Sequence, residues 1–252
     1  MNVTLVQFAP RLNRSNLEYV LQSIDNAKNS DVVIFPELAL SGYMLQDKLY
    51  EDAWRLEELE AVAQASLHVD IAIGAAIKEN GRIYNAALYY SHGTLQHIHR
   101  KMYLPNYGMF EEARYFHKGN TIEAFDSALG RAVSLVCEDL WRAETFANVN
   151  TLKPDVIFLH VASPARDFQE ESMLIELQWD ALAKAVAILC SAYVLFVNRV
   201  GFEDGIGFWG GSRIITPKGE VEYQMEHFKE GVLSVTLNAH LHQVQKWIAK
   251  KD

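Results

Sequence analysis

The sequence has little of what several protein classes require. Only two cysteines occur in 252 residues, Cys137 and Cys190, so a disulfide framework is excluded and we expect a reducing, cytoplasmic setting. No uninterrupted apolar stretch is long enough to span a bilayer, and the N-terminal MNVTLVQFAPRLNRS has no signal-peptide pattern. Lysine and arginine form no dense run and the net charge is −9, which argues against nucleic acid and anionic membrane surfaces as partners.

The remaining composition is that of a globular enzyme-sized chain. Half of the residues are hydrophobic and 22% are charged, which favours a protein with a sizeable core. Strand and helix patterns alternate without a linker, so we predict one α/β domain over residues 1–252, layered and with two stacked sheets. Residues 49–67 read as an amphipathic helix. Residues 102–120 form a long loop rich in aromatic residues, and loops of this length are usually functional.

Two segments of the chain echo each other. PDVIFLHVASP at 154–164 resembles SDVVIFPELAL at 30–40, since in both an aspartate precedes an apolar run that ends in polar groups. The echo indicates two similar halves, although a chance likeness between buried strands explains it equally well.

Three apolar runs end in groups that carry chemistry. They are VIFPE, ending at Glu37, IHRKMYLPNYG, containing Lys101, and LVCEDLW, containing Cys137. Ligands collect at the carboxyl ends of strands in α/β sheets, so these side chains are candidates for one site. Glu37 is then the general base for the Cys137 thiol, and Lys101 stabilises charge and counters the carboxylates near the sulfur.

Each of these residues also has an ordinary structural explanation. Cys137 taken alone is more simply a buried structural thiol, and the carboxylates of Glu138 and Asp139 beside it disfavour a thiolate. Lys101 follows Arg100 and can be a solvated charge, and Glu37 can brace the turn after Pro36. Spacing does not decide between these explanations.

The three stretches, taken in order, resemble the Glu, Lys and Cys boxes of the nitrilase superfamily of carbon–nitrogen hydrolases. The matching segments are PELALSGY, HRKMYLPNYGMFEEARYF and LVCEDLW, with support from VTLVQFAP, GRIYNAALYY and GFWGGSRIITPKGEV. The resemblance spans essentially the whole chain. SGYMLQDKL, LPNYGMFEEARYF and CEDLW look most like the glutamine amidase domain of glutamine-dependent NAD synthetases.

This resemblance implies a four-layer α-β-β-α sandwich, usually paired into homodimers or larger homo-oligomers. It also implies that Cys137 attacks an amide carbon, that Glu37 is the base, and that Lys101 and the backbone N–H of Glu138 stabilise the oxyanion. A thioester forms and water hydrolyses it, with no metal or organic cofactor. Family members often have a second glutamate in the Lys-box loop, and Glu112 matches that position better than Glu111.

Substrate contacts follow from the same resemblance. Tyr107 and Phe110 match aromatic residues that line the pocket of the synthetase-like branch, and Glu138 and Ser163 match residues that bind the glutamine amino group. Tyr107 and Phe110 can instead be core aromatics, and Ser163 can simply end a strand.

The sequence also departs from the synthetase-like branch. Val161 stands where that branch has Asn, and ARDFQEESM replaces a more basic segment. There is no P-loop, so we expect no attached synthetase domain. The leading hypothesis is therefore a cysteine amidase acting on a linear, small-molecule amide. The alternatives are a glutaminase subunit serving a separate synthetase, a nitrilase, and a catalytically silent binding protein.

Three minor features complete the sequence predictions. His97 and His99 alternate on one strand face, which we predict to be solvated rather than a metal site. Asp139 is predicted to cap a helix over about 140–152. The terminal LHQVQKWIAKK is amphipathic and packs either on a partner subunit or on the protein's own surface.

Overall fold

The computed structural model describes residues 1–170 and 172–249. The strands in this part of the chain are β1 (Asn2–Gln7), β2 (Val32–Ile34), β3 (Asp70–Glu79), β4 (Arg82–Ser91), β5 (Thr94–Arg100), β6 (Ala124–Ser127), β7 (Gly130–Val136), β8 (Val156–Val161), β9 (Tyr193–Asn198), β10 (Val200–Glu203), β11 (Ile206–Trp209), β12 (Arg213–Ile215), β13 (Val221–Gln224) and β14 (Gly231–Thr236). The α-helices are α1 (Asn16–Asn26), α2 (Leu49–Asp52), α3 (Glu60–Ala65), α4 (Glu112–Tyr115), α5 (Ala143–Leu152), α6 (Leu174–Cys190) and α7 (Leu241–Ala249).

Two six-stranded mixed sheets form the centre of the molecule. Their strand orders are β14-β1-β2-β3-β4-β5 and β13-β12-β9-β8-β7-β6, and β10 and β11 make a separate hairpin. Within the first sheet β1, β2 and β3 are parallel, and within the second β7, β8 and β9 are parallel. Strands buried on both faces account for the near-continuous apolar runs of β2 and β8.

Apolar side chains fill the space between the sheets and outside each of them. One cluster joins residues such as Leu5 and Ile34 of the first sheet to Phe158 and Leu195 of the second. A second cluster lies under α1 and α3, and a third lies under α5 and α6. The result is the predicted four-layer α-β-β-α sandwich.

The two sheets repeat one topology. Strands β1, β2, β3, β4 and β5 take the same places in their sheet as β7, β8, β9, β12 and β13 take in theirs. The echo between residues 30–40 and 154–164 therefore falls on equivalent strands, β2 and β8, which agrees with two similar halves.

The prediction of one continuous helix over residues 49–67 is wrong. The chain forms α2, then an extended stretch, then a 3-10 turn over Leu56–Leu59, then α3. Trp54 causes the break, because its N–H donates to the carbonyl of Ala76 at 2.8 Å and its carbonyl accepts from Lys78 N–H at 2.7 Å. Strand β2 pairs with only the first three residues of β3, so Trp54 satisfies backbone groups of β3 that would otherwise lack a partner.

The prediction of a solvated face for His97 and His99 is also wrong. Both rings point between the sheets, where His97 stacks on Phe125 with ring centroids 4.3 Å apart and His99 is fully buried near Asp139. Strand β5 is an edge strand, and its solvent side could not be distinguished from its inner side by alternation alone.

The terminal amphipathic segment forms α7, and Lys250 and Lys251 of the predicted segment lie outside the described residues. Val244, Trp247 and Ile248 are exposed on α7, while His242 is buried near Asp155. Among residues 1–170 and 172–249, no helix is both long and apolar enough to cross a lipid bilayer.

His160 on β8 predicts how stability depends on pH. Its Nδ1–H donates to the carbonyl of Phe35 at 2.7 Å, and burial lowers the pKa of His160 to about 4. The unfolded chain therefore binds a proton from about pH 6.5 downward, while the folded chain stays neutral at this residue until about pH 4. Stability should fall as pH drops through that window.

His160→Asn keeps a donor near Nδ1 but cannot titrate, so its loss of stability between about pH 6.5 and 4 should be smaller than that of the unaltered protein. Urea unfolding at a series of pH values measures this slope. His68→Asn, at an exposed histidine, is the matched control. Equal slopes for His160→Asn and the unaltered protein would contradict the prediction.

Candidate active site

Three chain segments that follow the carboxyl ends of strands β2, β5 and β7 supply the candidate site residues. Glu37 lies three residues beyond β2, Lys101 directly follows β5, and Cys137 directly follows β7. The Nζ of Lys101 lies 2.7 Å from Oε1 of Glu37, and both side chains are completely buried. The structure therefore excludes a solvated charge for Lys101 and pairs it with Glu37, and both residues act electrostatically on the Cys137 thiol.

Glu112 completes this ionic cluster. Its Oε1 lies 2.7 Å from the Nζ of Lys101 and accepts a 2.5 Å hydrogen bond from the Tyr43 hydroxyl. Glu111 is exposed and pairs with Arg114 instead. The structure thus brings Glu112, as the resemblance implied, rather than Glu111, to Lys101.

The cluster holds one buried cation between two buried carboxylates. Burial alone would lower the pKa of Lys101, but Glu112 and Glu37 outweigh burial and raise it well above its usual value. Burial and the nearby charge of Glu37 raise the pKa of Glu112 to about 7, although Lys101 acts in the opposite direction. A single ammonium cannot neutralise two carboxylates, so the second one holds a proton more readily than an ordinary glutamate.

Cys137 occupies a strained turn. Its φ is 45°, in the left-handed region that a non-glycine residue rarely adopts, and it begins a 3-10 turn over Cys137–Trp141. The apolar strand β7 therefore ends abruptly at Cys137, which is half-buried as a residue while its thiol is shielded from solvent. Such strain is commonly found at functional positions, where the surrounding structure compensates for it.

The environment of the thiol keeps it protonated. Burial raises the pKa of Cys137, Glu37 and Glu112 raise it further, and Lys101 and the Ala162 N–H act in the opposite direction without cancelling the increase. The expectation that Lys101 offsets the carboxylates is therefore only partly correct. A neutral thiol needs a base at the moment of attack, and Glu37 is the carboxylate with the largest electrostatic effect on it.

Asp139 has a different role from the predicted helix cap. Helix α5 begins at Ala143, and Asp139 is buried within the 3-10 turn. Its Oδ1 accepts the backbone N–H groups of Met102 and Tyr103, and its Oδ2 accepts the N–H of Val136 and lies 2.8 Å from Nε2 of His99. Asp139 thereby ties the cysteine turn to the segment that carries Lys101.

Glu138 points towards the long loop. Its Oε2 accepts a 2.9 Å hydrogen bond from the Tyr107 hydroxyl and its Oε1 lies 2.7 Å from a guanidinium nitrogen of Arg142. Burial and the hydrogen bond to Glu138 raise the pKa of Tyr107 to about 12, so its hydroxyl remains a donor. The carboxylates that raise the thiol pKa are thus Glu37 and Glu112, not the two sequence neighbours of Cys137.

The other residues predicted to contact the substrate, Phe110 and Ser163, are buried. Phe110 is buried and packs edge-on against Tyr43 and Tyr107, with ring centroids 6.3 and 5.4 Å apart. Ser163 is buried after β8, where its hydroxyl accepts a 2.9 Å hydrogen bond from Nε1 of Trp179. Their contacts with a substrate, and that of the half-exposed Tyr107, stay predictions.

A buried ion pair supports the loop that carries Tyr43. Arg199 and Glu203 pair on the β9–β10 segment, and Oε2 of Glu203 accepts the backbone N–H groups of Tyr43 and Met44 at 3.0 and 2.9 Å. The guanidinium also lies 4.2 Å from the ring centroid of Phe208. The separate β10–β11 hairpin therefore places Tyr43, and through it Glu112.

Several residues of the site were missed by sequence reasoning. Asn85 contacts Glu37, Tyr43 contacts Glu112, and Glu203 contacts the backbone of Tyr43 only after folding, and no spacing in the sequence pointed to roles for their side chains. Two signals were available. A polar Asn85 interrupts the buried run of β4, and Gly74 interrupts β3, where glycine often marks a close approach of another backbone.

Gly74 leaves room for the bend at Glu37. A Cβ at this position would lie 2.4 Å from the carbonyl oxygen of Pro36 and 2.7 Å from the Cα of Glu37. Gly74→Ala should therefore displace Glu37 and lower the free energy of unfolding by about 1–3 kcal/mol, which is typical of overpacking. Urea denaturation measures this change.

Gly231→Ala is the matched control, because a Cβ there meets only the flexible end of Met225 at 3.1 Å. This variant should stay within about 0.5 kcal/mol of the unaltered protein. If the two variants lose equal stability, the proposed close approach at Gly74 is refuted.

Comparisons with known proteins agree with this fold. The chain aligns over its full length with the structure of a carbon-nitrogen hydrolase from Helicobacter pylori G27, covering 95% of that chain with a TM-score of 0.89 at 20% identity. The Carbon-nitrogen hydrolase family profile matches residues 2–248. This chain belongs to the carbon–nitrogen hydrolase family.

Curated relatives include glutamine-dependent NAD(+) synthetases and a probable nitrilase. A glutamine-dependent NAD(+) synthetase from Aquifex aeolicus is 32% identical, over 94% of this chain and 42% of the relative. A probable nitrilase from Schizosaccharomyces pombe is 27% identical, over 94% of this chain and 88% of the relative. The chain therefore spans about two fifths of the synthetase that it matches.

Proposed function

We propose that this protein hydrolyses the carbon–nitrogen bond of a linear, small-molecule amide through a thioester on Cys137. The observation that carries the proposal is the buried cluster of Lys101, Glu37 and Glu112, in which Glu37 and Lys101 pair at 2.7 Å and act electrostatically on the Cys137 thiol. A neutral nucleophile beside a buried carboxylate is the arrangement that general-base activation requires.

The reaction follows from these groups. The sulfur of Cys137 attacks the amide carbon and its proton passes to Glu37, which leaves a tetrahedral oxyanion. The C–N bond then breaks, and the proton moves from Glu37 to the departing nitrogen, so ammonia or an amine leaves and a thioester remains. Water attacks the thioester carbon while Glu37 takes its proton, and that proton returns to the sulfur when the carboxylic acid leaves.

Lys101 and the turn at Cys137 provide the electrostatic stabilisation. An ammonium has three N–H donors, and Glu37 and Glu112 accept two of those of Lys101. The third donor and the backbone N–H of Glu138 are the groups that we assign to the oxyanion. A fixed cation in a dry site stabilises developing negative charge far more than it would in water.

Cys137→Ala tests this proposal. The variant should keep the fold, measured by its thermal melting curve, and should lose at least about 10³-fold of the ammonia release from a panel of linear amides, because no nucleophile remains. Cys190→Ala is the matched control, since Cys190 is the other cysteine and lies on α6.

Intact mass spectrometry after rapid acid quench should also show an acyl adduct on the unaltered protein and on Cys190→Ala, but not on Cys137→Ala. Undiminished ammonia release by Cys137→Ala would refute the mechanism. Turnover of nitriles but not of amides would instead favour the nitrilase alternative, which the relative in Schizosaccharomyces pombe suggests.

Glutamine is the second candidate substrate, and the position of the Glu138 carboxylate favours it. The curated synthetase relatives are glutamine-dependent, and the buried carboxylate of Glu138, held by Tyr107 and Arg142, offers an anionic partner for an amino group. The ammonia would then leave or pass to a partner that consumes it.

Glu138→Gln should raise the KM for glutamine about tenfold or more with a smaller change in kcat, because it removes charge from a binding contact and not from the reacting atoms. Steady-state ammonia release measures both constants. Glu111→Gln, at an exposed glutamate of the long loop over residues 102–120, is the control. No ammonia release from glutamine, alone or with a synthetase partner, would exclude this candidate.

A further inference from the structure

Asn85 on β4 holds two members of the site at once. Its backbone carbonyl accepts the N–H of Lys101 at 2.8 Å, and its side-chain Nδ2 donates to Oε1 of Glu37 at 2.7 Å. The residue is 1% exposed. Strand β4 lies between the strand that borders Glu37 and the strand that ends at Lys101, so position 85 is the place where one side chain reaches both segments.

The two carboxylate oxygens of Glu37 differ in their hydrogen-bond partners. Oε1 accepts from both Asn85 and Lys101, while Oε2 is buried and has no hydrogen-bond partner among the described residues. Burying a carboxylate oxygen without a hydrogen-bond donor costs free energy, and the lone pairs of that oxygen stay available to accept a proton. A base that takes a thiol proton needs such an atom.

The chemistry at position 85 requires an amide. A carboxylate only accepts hydrogen bonds, so the NH₂ end of Asn85 must face Glu37, which settles the orientation of the side chain. An ionised aspartate has the same shape but no donor, and leucine has a similar volume and no polar atom. Neither would restrain Oε1.

We propose that Asn85 is a positioning residue that restrains Oε1 of Glu37 together with Lys101, and so leaves Oε2 as the atom that receives the Cys137 proton. This inference rests on the proposed function, in which Glu37 is the base for the thiol. It adds which oxygen acts and which residue makes the two oxygens unequal.

Alkylation of Cys137 by iodoacetamide tests the inference without a substrate. The second-order rate constant is measured by intact mass between about pH 5 and 9, in a Cys190→Ala background so that a single thiol reacts. Asn85→Asp and Asn85→Leu should lower this constant at pH 7 about ten- to a hundredfold, the effect typical of losing a hydrogen bond to a charged group. The backbone contact with Lys101 remains in both variants.

The acid limb of the rate profile should also move to higher pH, because the ionised carboxylate has lost a donor. The other ionisable groups that act on this site are Lys101, Glu112, Cys137, Tyr43, Tyr107 and Arg199, and none of them is altered by these substitutions. Asn85→Leu adds no charge, so the position of the limb is read from this variant, whereas Asn85→Asp adds a carboxyl beside Glu37. A role in packing alone would lower the melting temperature and leave the limb in place.

Ser91→Ala is the matched control. Ser91 lies on the same strand, is buried, and donates to a buried carboxylate, Asp70, at 2.6 Å, but at the opposite end of β4. This variant should lose stability and keep the alkylation rate and its pH profile. If Asn85→Leu does not fold, the smaller neutral variant Asn85→Ala decides the result, because a buried aspartate beside Glu37 can take up a proton and act as a donor itself.

Unaltered alkylation rate and pH profile in the folded Asn85 variants would overturn the inference. The outcome is separable from that for the amidase proposal. If amide hydrolysis depends on Cys137 but the alkylation rate does not depend on Asn85, the proposed function is supported and the inference about Asn85 is refuted. If the alkylation rate depends on Asn85 but no amide is hydrolysed, the inference about Asn85 is supported and the proposed function is refuted.

Discussion

The buried ammonium of Lys101 is the interaction on which the rest of the site depends. An unpaired charge in a dry interior is strongly destabilising, and a paired one is tolerated only when good geometry and further hydrogen bonds compensate for the lost water. Glu37 and Glu112 supply the charge, each at 2.7 Å from Nζ. Burial is the largest cause of the raised pKa values of Cys137 and Glu112, and the negative charge of the neighbouring carboxylates raises both further.

A buried ion cluster is tolerated only with precise geometry, and this requirement explains the hydrogen bonds that hold its members in place. Tyr43 orients Glu112 and is itself held by Glu203, while Asp139 ties the cysteine turn to the backbone that follows Lys101. These supports come from both sheets and from the β10–β11 hairpin. The strained φ of Cys137 is maintained by the same contacts, so the fold compensates at this edge for a conformation that the isolated segment would avoid.

Much of the fold and the centre of the site were predictable. Buried strands have long apolar runs, and the runs before Glu37 and Cys137 could be recognised because polar groups follow each one at once. Strand β5, before Lys101, has mixed polarity and gives a weaker signal. Resemblance to a family supplied the layered sandwich and Glu112. The errors have physical causes. Trp54 breaks a helical pattern to satisfy the edge of β3, His97 and His99 face the interior of an edge strand, and Asp139 binds backbone donors that come from a distant segment.

The sequence by itself determined which residues are candidates for the chemistry: the thiol of Cys137, the carboxylate of Glu37 and the ammonium of Lys101, each placed where a strand ends. Only the tertiary structure decided how they act on one another. The partners of Lys101, the two unequal oxygens of Glu37 and the role of Asn85 depend on contacts between segments that are far apart in the chain. Hydrogen bonds and charges act over a few ångströms in space, and a linear pattern does not specify those distances.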